Sequence, residues 1–361
     1  MKKRRNDLIP ACLFIAPNFI GFLIFVAFPL IFSVTMAFTN WDLSLHNRFR
    51  PDESIKWVWL RNFSDLLSHP DFWKYFGNTF FLMLGIPASV AGSLFLAVML
   101  TRPLRSENRR RRWLLAAASV AALALPGLWL WAAGGGVFAF VLCLIGGVVL
   151  ATGFTSGSVV YRTLFYLPSF TSGVAIYLLW KQLFNPMRGP INLVLQPVLD
   201  FISGVLHTAP LHAPNWLNDV SWAKPAIIIM GLWASIGSNN MLLYIAGITN
   251  IPQELYEAAD IDGASRWQRF WHVTWPQLAP TTFFILVMSV IGGLQGGFEE
   301  ARTMTQGGPF GATTSLSYFV YTAGFETGRL GYASAVAWAM FVMIFVLTIF
   351  NYRFGSRYVN E

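Results

Sequence analysis

Long stretches without charge constrain this chain more than any other feature of its sequence. Eight segments contain no Asp, Glu, Lys or Arg, namely 8–38, 75–100, 113–131, 135–154, 164–180, 225–249, 280–298 and 333–352. A helix of roughly 20 apolar residues crosses a bilayer core of about 30 Å, and backbone groups in lipid must be satisfied within the segment. Barrel strands alternate in polarity, whereas these runs are continuous. We therefore expect an all-α integral membrane protein with about eight transmembrane helices.

The charged residues between these spans indicate an orientation. Of the 25 Lys and Arg residues, 15 fall in the segments 1–7, 101–112, 155–163, 250–279 and 353–361. Basic residues concentrate on the cytoplasmic side of membrane proteins, so we predict that these segments and both termini are cytoplasmic. Since the basic residues flank apolar runs, the net charge of +8 indicates a membrane rather than nucleic acid. Cys12 and Cys143 lie inside apolar runs, where a thiol behaves as a small hydrophobe.

The chain divides into three parts on this interpretation. Residues 1–74 hold the first helix and the first outer loop, 75–353 form the transmembrane domain, and 354–361 are a cytoplasmic tail. The predicted outer loop 181–224 contains five prolines around an apolar stretch, Leu193–Leu206, which we predict to be a short helix. A loop of this size is either a simple connector or a docking surface for a partner outside the cell.

The predicted cytoplasmic loop 250–279 has a structure of its own. Pro252 and Glu254 suit the first turn of a helix, because an acidic residue there complements the helix dipole. We predict one helix over 254–262, a turn at Gly263 and a second helix over 264–274. The sequence Glu257-Ala258-Ala259 on the first helix offers one charge and two small side chains to a partner that approaches closely.

This loop resembles the EAA loop of the permease subunits of ABC importers. The resemblance rests on Glu257-Ala258-Ala259, Asp262-Gly263-Ala264-Ser265, Phe270, Val273 and Pro276. The segments Arg162–Pro168, Gly307-Gly308-Pro309 and Gly331–Ala335 are similar to the sugar-type, maltose-permease-like branch. The match covers nearly the whole chain except 102–157, where two extra apolar runs joined at Gly134-Gly135-Gly136 form an inserted hairpin.

The resemblance implies a type I importer fold and a permease subunit that imports a sugar or oligosaccharide across a bacterial or archaeal plasma membrane. It implies three protein partners: a separate ATPase dimer, a second similar permease and an extracytoplasmic solute-binding protein. The residues that it assigns to ATPase coupling are Glu257, Ala258, Ala259, Asp262 and Gly263. No phosphate-binding Gly-x-x-x-x-Gly-Lys-Ser/Thr occurs in the sequence, so the chain itself lacks that ATP site. We expect no cofactor, metal or enzymatic activity.

In those sugar-type permeases whose own subunit carries the site, the sugar lies at mid-membrane, between the helices on either side of the EAA loop; in others the partner subunit holds the main site. The polar and small residues of those two segments are Ser235, Asn239, Asn240, Ser289, Gly293, Gln295 and Gly296. Ser235 and Asn239 are spaced i, i+4, which predicts that they share one helix face. Polar groups facing lipid are costly, so we predict that these faces line the solute path. The alternative is that the small and polar residues hold helices together.

Two other functions compete with the importer subunit. An ion-coupled secondary carrier usually needs ionisable groups in its spans, and the eight predicted spans contain none. A membrane-embedded enzyme is the other alternative. His207 and His212 are not at the spacing of a helical metal pair, and Glu299-Glu300 borders an outer helix end, where we expect it to face water.

Overall fold

The computed structural model describes residues 8–46, 54–101, 109–132, 136–156, 158–171, 173–207 and 209–355. This part of the chain is helical almost throughout, and its one isolated β-bridge joins Thr39 to Trp57. The longer helices are Leu8–Phe22, Phe28–Ala37, Arg61–Ser68, Pro70–Met83, Gly85–Thr101, Arg109–Leu130, Gly136–Ser156, Ser158–Tyr166, Val174–Leu183, Pro190–Leu206, Val220–Ile236, Asn239–Thr249, Gln253–Ile261, Ala279–Gln295 and Leu330–Gly355.

Six helical stretches are long and apolar enough to cross a membrane. They are Cys12–Ala37, Pro70–Thr101, Arg110–Leu130, Val220–Thr249, Ala279–Thr305 and Leu330–Arg353. A bent pair, Val159–Phe170 and Val174–Leu183, adds a seventh if it counts as one span. The described residues therefore give six or seven spans where the sequence predicts eight. The predicted span that is missing from both counts is 135–154. It lies in a helix but contributes only the shorter apolar stretch Phe140–Thr152.

The predicted span 164–180 is broken rather than straight. Its two halves meet at 104°. Pro168 lies in a 3₁₀ turn, Leu167–Phe170, and Gly173 takes a positive φ of 72° just before the second half begins. Proline cannot donate a helical hydrogen bond, and a positive φ interrupts a right-handed helix. The absence of charge therefore predicts an apolar segment at 164–180, but it does not predict the bend within that segment.

The predicted span 225–249 is also interrupted, at Gly237 and Ser238. One helix, Val220–Ile236, ends there and Asn239–Thr249 begins. A Cβ atom added to Gly237 would overlap the backbone carbonyl of Phe165, so glycine allows the break to approach the bent span closely. As a consequence, Ser235 and Asn239 do not share the face of one continuous helix, and the i, i+4 prediction for them is wrong.

The chain divides into two compact units, of which the first comprises 1–76 and 316–346. Its core contains Leu66, Phe72, Leu316 and Val336. The Asn62 amide group donates to the carbonyls of Ala37 and Thr39, each at 2.8 Å.

The second unit comprises 77–315 and 347–361 and holds two buried clusters. One lies between helices Gly85–Thr101, Asn239–Thr249 and Ala279–Gln295 and contains Leu94, Met241, Tyr244, Leu278 and Ile285. The other includes Trp180, Phe184, Trp216, Met230 and Met304. Next to the second cluster, Asn192 accepts a hydrogen bond at 2.7 Å from the indole N–H of Trp216, a member of that cluster. The predicted short helix Leu193–Leu206 is confirmed as Pro190–Leu206, and its location outside the cell stays a prediction.

The inserted hairpin forms two closely packed helices, Arg109–Leu130 and Gly136–Ser156. Glycines allow the close approach: a Cβ added at Gly147 would lie 2.9 Å from the Cα of Val120. The hairpin contacts the helix Pro190–Leu206 through Trp129 and Phe201, whose ring centroids are 5.3 Å apart. Its basic lead-in 102–108 and the predicted joint at Gly134-Gly135 lie outside the described residues.

Candidate functional site

The loop that the sequence marks for coupling folds as a short helix, a tight turn and a longer irregular helix. We call residues 253–277 the coupling segment. Gln253–Ile261 is the first helix, and Gly263 turns the chain with a φ of 72°. Arg266–Arg269, the π-helical turn Phe270–Thr274 and Trp275–Gln277 follow. The predicted helix–turn–helix is confirmed, although the second part continues through Pro276 instead of ending before it.

Side chains close in sequence hold this segment together. Ser265 and Gln268 form a capping box, in which each side chain bonds to the backbone of the other. Arg269 of the second part pairs with Asp260 of the first. The hydroxyl groups of Tyr256 and Thr274 lie 3.0 Å apart and join the two parts at a buried position. The segment is therefore a preformed element rather than a flexible connector.

The residues assigned to ATPase coupling lie together on the outside of this element. Glu257, Ala258, Asp262 and Gly263 are exposed, and Ala259 is half-buried. The Glu257 carboxylate accepts a hydrogen bond from the Gln253 amide at 3.0 Å. Except for Glu257, these residues line a shallow groove of about 390 Å³.

Sequence reasoning missed one apolar neighbour of these residues. Ile261 ends the first helix and is 87% exposed. It follows Glu257 by four positions, so both lie on one helix face. An exposed isoleucine beside a charge and two alanines suits a surface that another protein covers.

The coupling segment is anchored on the first buried cluster. Phe270 packs against that cluster, and Leu278, directly after the segment, is fully buried within it. The Tyr244 hydroxyl donates to Thr282 at 3.2 Å, which links helices Asn239–Thr249 and Ala279–Gln295. The coupling segment and these two helices therefore contact the same buried cluster.

The same two helices help to enclose a cavity of about 290 Å³, which we call the central cavity. Its wall also includes parts of Pro70–Thr101 and Val220–Ile236. The polar residues on the wall carry hydroxyl, amide and carboxylate groups: Thr79, Ser89, Ser235, Asn240, Ser289, Glu300 and Ser315. Apolar side chains and glycines form the rest of the wall. A Cβ added at Gly231 or Gly292 would meet nothing within 4 Å.

The structure brings five of the seven predicted solute-path residues to the central cavity. They are Ser235, Asn240, Ser289, Gly293 and Gly296. Asn239 lies elsewhere and accepts a hydrogen bond from the Tyr166 hydroxyl at 3.1 Å. Gln295 is exposed and does not line the cavity.

Gly293 has a packing role as well as a place on the cavity wall. A Cβ added there would lie 2.9 Å from Ile86 Cδ1 and 3.1 Å from Met83 Cγ. Glycine at this position therefore lets two helices touch, which is the alternative that the sequence left open. Gly292, which was not predicted, is the position where the cavity is open.

Glu300 lies on the cavity wall, whereas the sequence predicted that it faces water at a helix end. The helix Ala279–Gln295 ends before a break at Gly296 and Gly297, where Gly297 has a φ of 85°. The short helix Phe298–Glu300 and the turn Ala301–Thr305 continue the candidate span seven residues beyond the predicted end and carry the half-buried Glu300 onto the cavity wall. Its neighbour Glu299 is exposed, as expected. The charge itself led to the error, because we ended the predicted span at the first acidic residue.

The described residues contain no cluster of three or more His, Cys, Asp or Glu side chains that is able to hold a metal ion. What the geometry defines is a multi-pass membrane protein with an internal cavity whose lining is mainly apolar and carries a few polar groups. The coupling segment packs against a buried cluster that includes residues of two of the cavity-lining helices.

Comparison with known proteins identifies the class more closely. Residues 89–360 match the family described as binding-protein-dependent transport system inner membrane component, and the chain belongs to this family. It is therefore an inner-membrane transport subunit rather than an ion-coupled carrier or a membrane-embedded enzyme. The match includes the inserted hairpin and the coupling segment.

The relatives are permease subunits of ABC transporters. The chain is 29% identical over 368 residues to the probable ABC transporter permease YesP of Bacillus subtilis, with 100% of this chain and 96% of the relative covered. It is 25% identical to the multiple sugar-binding transport system permease MsmF of Streptococcus mutans, with 93% and 91% covered. A solved bacterial importer of the acidic polysaccharide alginate shares the fold, with a TM-score of 0.67, 23% identity and 98% and 96% of the chains covered.

Proposed function

We propose that this chain forms the membrane path for a sugar or oligosaccharide in an ATP-driven importer. One observation carries the proposal: helices Asn239–Thr249 and Ala279–Gln295 pack against the coupling segment and also contribute to the central cavity. A movement that enters at the cytoplasmic loop therefore reaches the cavity wall through directly packed side chains. The saccharide class is supported by the hydroxyl and amide groups on that wall and by the name of the relative MsmF.

The coupling segment receives a separate ATPase dimer in this proposal. Glu257 pairs with a basic side chain of the ATPase, while Ala258 and Ala259 allow the two surfaces to touch. Asp262 and Gly263 form the turn that holds this surface in shape. Closure of the ATPase dimer on ATP pulls or pushes the segment, and the helices behind it change the access to the cavity.

The solute lies in the central cavity, where Ser235, Asn240 and Ser289 offer hydrogen-bond partners to sugar hydroxyl groups. Gly296 and the unpredicted Gly231 and Gly292 leave room for a sugar ring. For Asn239 and Gln295, contact with the solute stays a prediction that this cavity does not support.

The remaining partners follow from the family. A second, similar permease completes the path, and an extracytoplasmic binding protein delivers the solute. A solved structure of the alginate importer includes a periplasmic protein with bound alginate pentasaccharide. We place both termini and the coupling segment in the cytoplasm, in the plasma membrane of a bacterium or archaeon. The helix Pro190–Leu206 then lies outside, where a binding protein docks.

Uptake into proteoliposomes tests the proposal. The chain is reconstituted with its ATPase, partner permease and binding protein, and the accumulation of labelled saccharides is measured with ATP inside or outside the vesicles. We expect uptake only when ATP, ATPase and binding protein are all present. Uptake that an ion gradient drives without ATP would contradict the proposal.

A further inference from the structure

A second cavity lies beside the coupling segment, at the ends of two membrane spans. It has a volume of about 510 Å³, and we call it the basic cavity. The stretches Pro70–Thr101 and Val220–Thr249 both end at it, since Thr101 and Ile248 are on its wall. The coupling segment contributes Tyr256, Arg266, Arg269, Phe270 and Thr274. An apolar span ends where the hydrocarbon core of the bilayer ends, so the basic cavity lies at the depth of the lipid headgroups.

Two arginines give this cavity a positive charge. Arg266 and Arg269 line it, and none of the described residues on its wall is acidic. Arg269 pairs with Asp260, which does not line the cavity. Arg266 is exposed and forms no ion pair within the described part of the chain. A guanidinium group carries five N–H donors, so both side chains retain donors for a ligand.

The arginines are not needed to satisfy the helix ends beside them. Helix C-termini attract cations, which is the alternative role for a basic residue at this place. One of the two helices already has a cation at its end, because Arg162 donates to the Leu100 carbonyl at 2.8 Å. The end of the other is closed by the backbone N–H of Asn250, which donates to the carbonyls of Ala246 and Gly247. The charge of Arg266 is thus left for another partner.

Hydroxyl groups add further hydrogen-bond donors to the wall. The hydroxyl groups of Tyr256 and Thr274 lie 3.0 Å apart and share one hydrogen bond. Whichever of them donates, the hydrogen of the other is not used in this bond. Guanidinium and hydroxyl donors together suit phosphate oxygens, which accept hydrogen bonds and carry negative charge. The basic cavity therefore has the chemistry of a phosphate site.

A row of exposed tryptophans continues from the basic cavity along the coupling segment. Trp267, Trp271 and Trp275 are 70%, 44% and 37% exposed, and their neighbouring ring centroids are 5.7 and 5.9 Å apart. Phe270, on the wall of the cavity, joins this row, since its ring centroid is 5.2 Å from that of Trp271. Tryptophan is enriched at the membrane–water interface. The cavity and the tryptophan row therefore form one surface that suits a lipid.

We propose that the basic cavity binds the headgroup of an anionic phospholipid of the cytoplasmic leaflet, with Arg266 as the main contact. The lipid phosphate accepts from the guanidinium and hydroxyl donors, and the acyl chains lie along the tryptophan row. Basic pockets between membrane helices on the cytoplasmic side are suited to such headgroups. The inference goes beyond the proposed function and takes from it only the side of the membrane. A lipid is favoured over the ATPase as occupant because two membrane spans and the tryptophan row border the cavity.

The labelling rate of an engineered thiol measures occupancy of the basic cavity. In a background with Cys12→Ala and Cys143→Ala, Thr101→Cys places a thiol on the cavity wall. The full chain in neutral detergent micelles receives increasing fractions of dioleoylphosphatidylglycerol, and its reaction with a maleimide is timed. Dioleoylphosphatidylcholine has the same acyl chains and no net charge. Glycerophosphoglycerol is the anionic headgroup without acyl chains, so it distinguishes a lipid site from a site for soluble phosphate.

We expect phosphatidylglycerol to slow labelling of Thr101→Cys severalfold, while the other two additives leave it unchanged. Thr249→Cys is the matched control for the thiol, because Thr249 is exposed at the end of a span and does not line the cavity. Its labelling rate should stay the same with all three additives.

Removing the unpaired cation should weaken this protection. Arg266→Gln should raise the fraction of phosphatidylglycerol needed for half-protection by roughly fivefold, which is the effect of one basic residue near an anionic lipid surface. Arg353→Gln is the matched control for charge, since Arg353 is exposed near the end of the last helix and does not line the cavity. Protection in this variant should equal that of the parent protein.

Equal slowing of both thiols by phosphatidylglycerol would reveal a general effect of charged micelles and overturn the inference. Equal protection by glycerophosphoglycerol would assign the cavity to a soluble phosphate compound, and protection by added ATPase but not by lipid would assign it to docking. Unchanged protection in Arg266→Gln would also count against the proposed contact. These measurements need no saccharide and no ATP, so their failure leaves the uptake test of the proposed function unaffected.

Discussion

In the coupling segment, side chains near one another in sequence hold the backbone, whereas the wall of the central cavity comes from helices far apart along the chain. The capping box at Ser265 and the pair between Asp260 and Arg269 are local contacts that stabilise one shape. The cavity wall combines positions from Thr79 to Ser315, and several of them are glycines. A surface that transmits force needs rigidity, and a path that admits a solute needs space that can change with the packing of helices.

The two regions also differ in how they respond to substitution. In the proposed function the coupling segment presents Glu257 and Ile261 to the ATPase, so changes there should weaken binding of the ATPase without affecting the cavity. The cavity presents empty space, so an added side chain should block the solute without affecting docking. Substitutions that separate loss of ATPase binding from loss of space for the solute therefore test whether the two regions act independently.

Filling the cavity should have the largest effect. Gly292→Leu adds a side chain where no atom lies within 4 Å of the new Cβ, so the fold is retained while the space for solute is lost. We expect uptake to fall by about tenfold or more, because a side chain in a pocket of this size displaces the ligand. Binding of the ATPase, measured by co-purification, should not change.

The matched control is Gly21→Leu, which adds the same side chain to an apolar helix at a position that is also open. Its uptake should stay near that of the parent protein. Equal loss of uptake in both variants would mean that leucine disturbs the membrane helices generally and that the cavity is not the path.

Removing the charge at Glu257 should have the next largest effect. If it pairs with a basic residue of the ATPase, Glu257→Ala costs roughly 2–5 kcal/mol of binding free energy, because the partner charge is left buried and unpaired. Co-purification and ATP-dependent uptake should both be lost, while insertion of the chain into the membrane should not change. Glu326→Ala removes another exposed carboxylate and should bind the ATPase normally. Retained co-purification in Glu257→Ala would contradict the docking assignment.

These two regions also show what the sequence is able to predict. The first helix of the coupling segment is predicted at 254–262 and found at Gln253–Ile261, because Pro252 and Gly263 are local signals whose meaning does not depend on the rest of the fold. The cavity needs the positions of four helices, and the sequence does not contain the break at Gly237 as a recognisable pattern. That break separates Ser235 from Asn239, which is why one lines the cavity and the other bonds to Tyr166.

The pattern of charges along the sequence is limited in the same way, because it does not show features that depend on the rest of the fold. Uncharged runs locate the membrane helices, yet they overlook the bend after Pro168 and end one span before Glu300. Glu300 lies on the wall of the central cavity because of the way the surrounding helices pack. Since that packing comes from the fold, a rule that ends every predicted span at the first charge leaves this carboxyl group outside the span.

Backbone strain introduced at Gly263, the turn of the coupling segment, should have a smaller effect on ATPase binding. Gly263 has a φ of 72°, and an added Cβ would meet no atom within 4 Å, so the cost of Gly263→Ala comes from the backbone alone. That cost is roughly 1–2 kcal/mol for an L-residue in the left-handed region. We expect a partial loss of ATPase binding. Gly263→Asn should lose less, because asparagine tolerates this conformation. If the alanine and asparagine variants lose binding equally, the side chain disturbs the docking surface and backbone strain is not the cause.

The smallest effect is expected at the hydrogen bond that joins the two parts of the coupling segment. Tyr256→Phe removes the hydroxyl that lies 3.0 Å from Thr274 and keeps the ring, so the loss is about 0.5–1.5 kcal/mol. The docking surface around Glu257 is unchanged, and ATPase binding should therefore persist. What should change is the link between ATPase movement and the buried cluster, measured as ATP hydrolysed per solute imported. A rise in this ratio for Tyr256→Phe and for Thr274→Val, with no further rise in the double variant, would show that the two hydroxyl groups act as a pair. Independent, additive effects would instead mean that each residue contributes through packing alone.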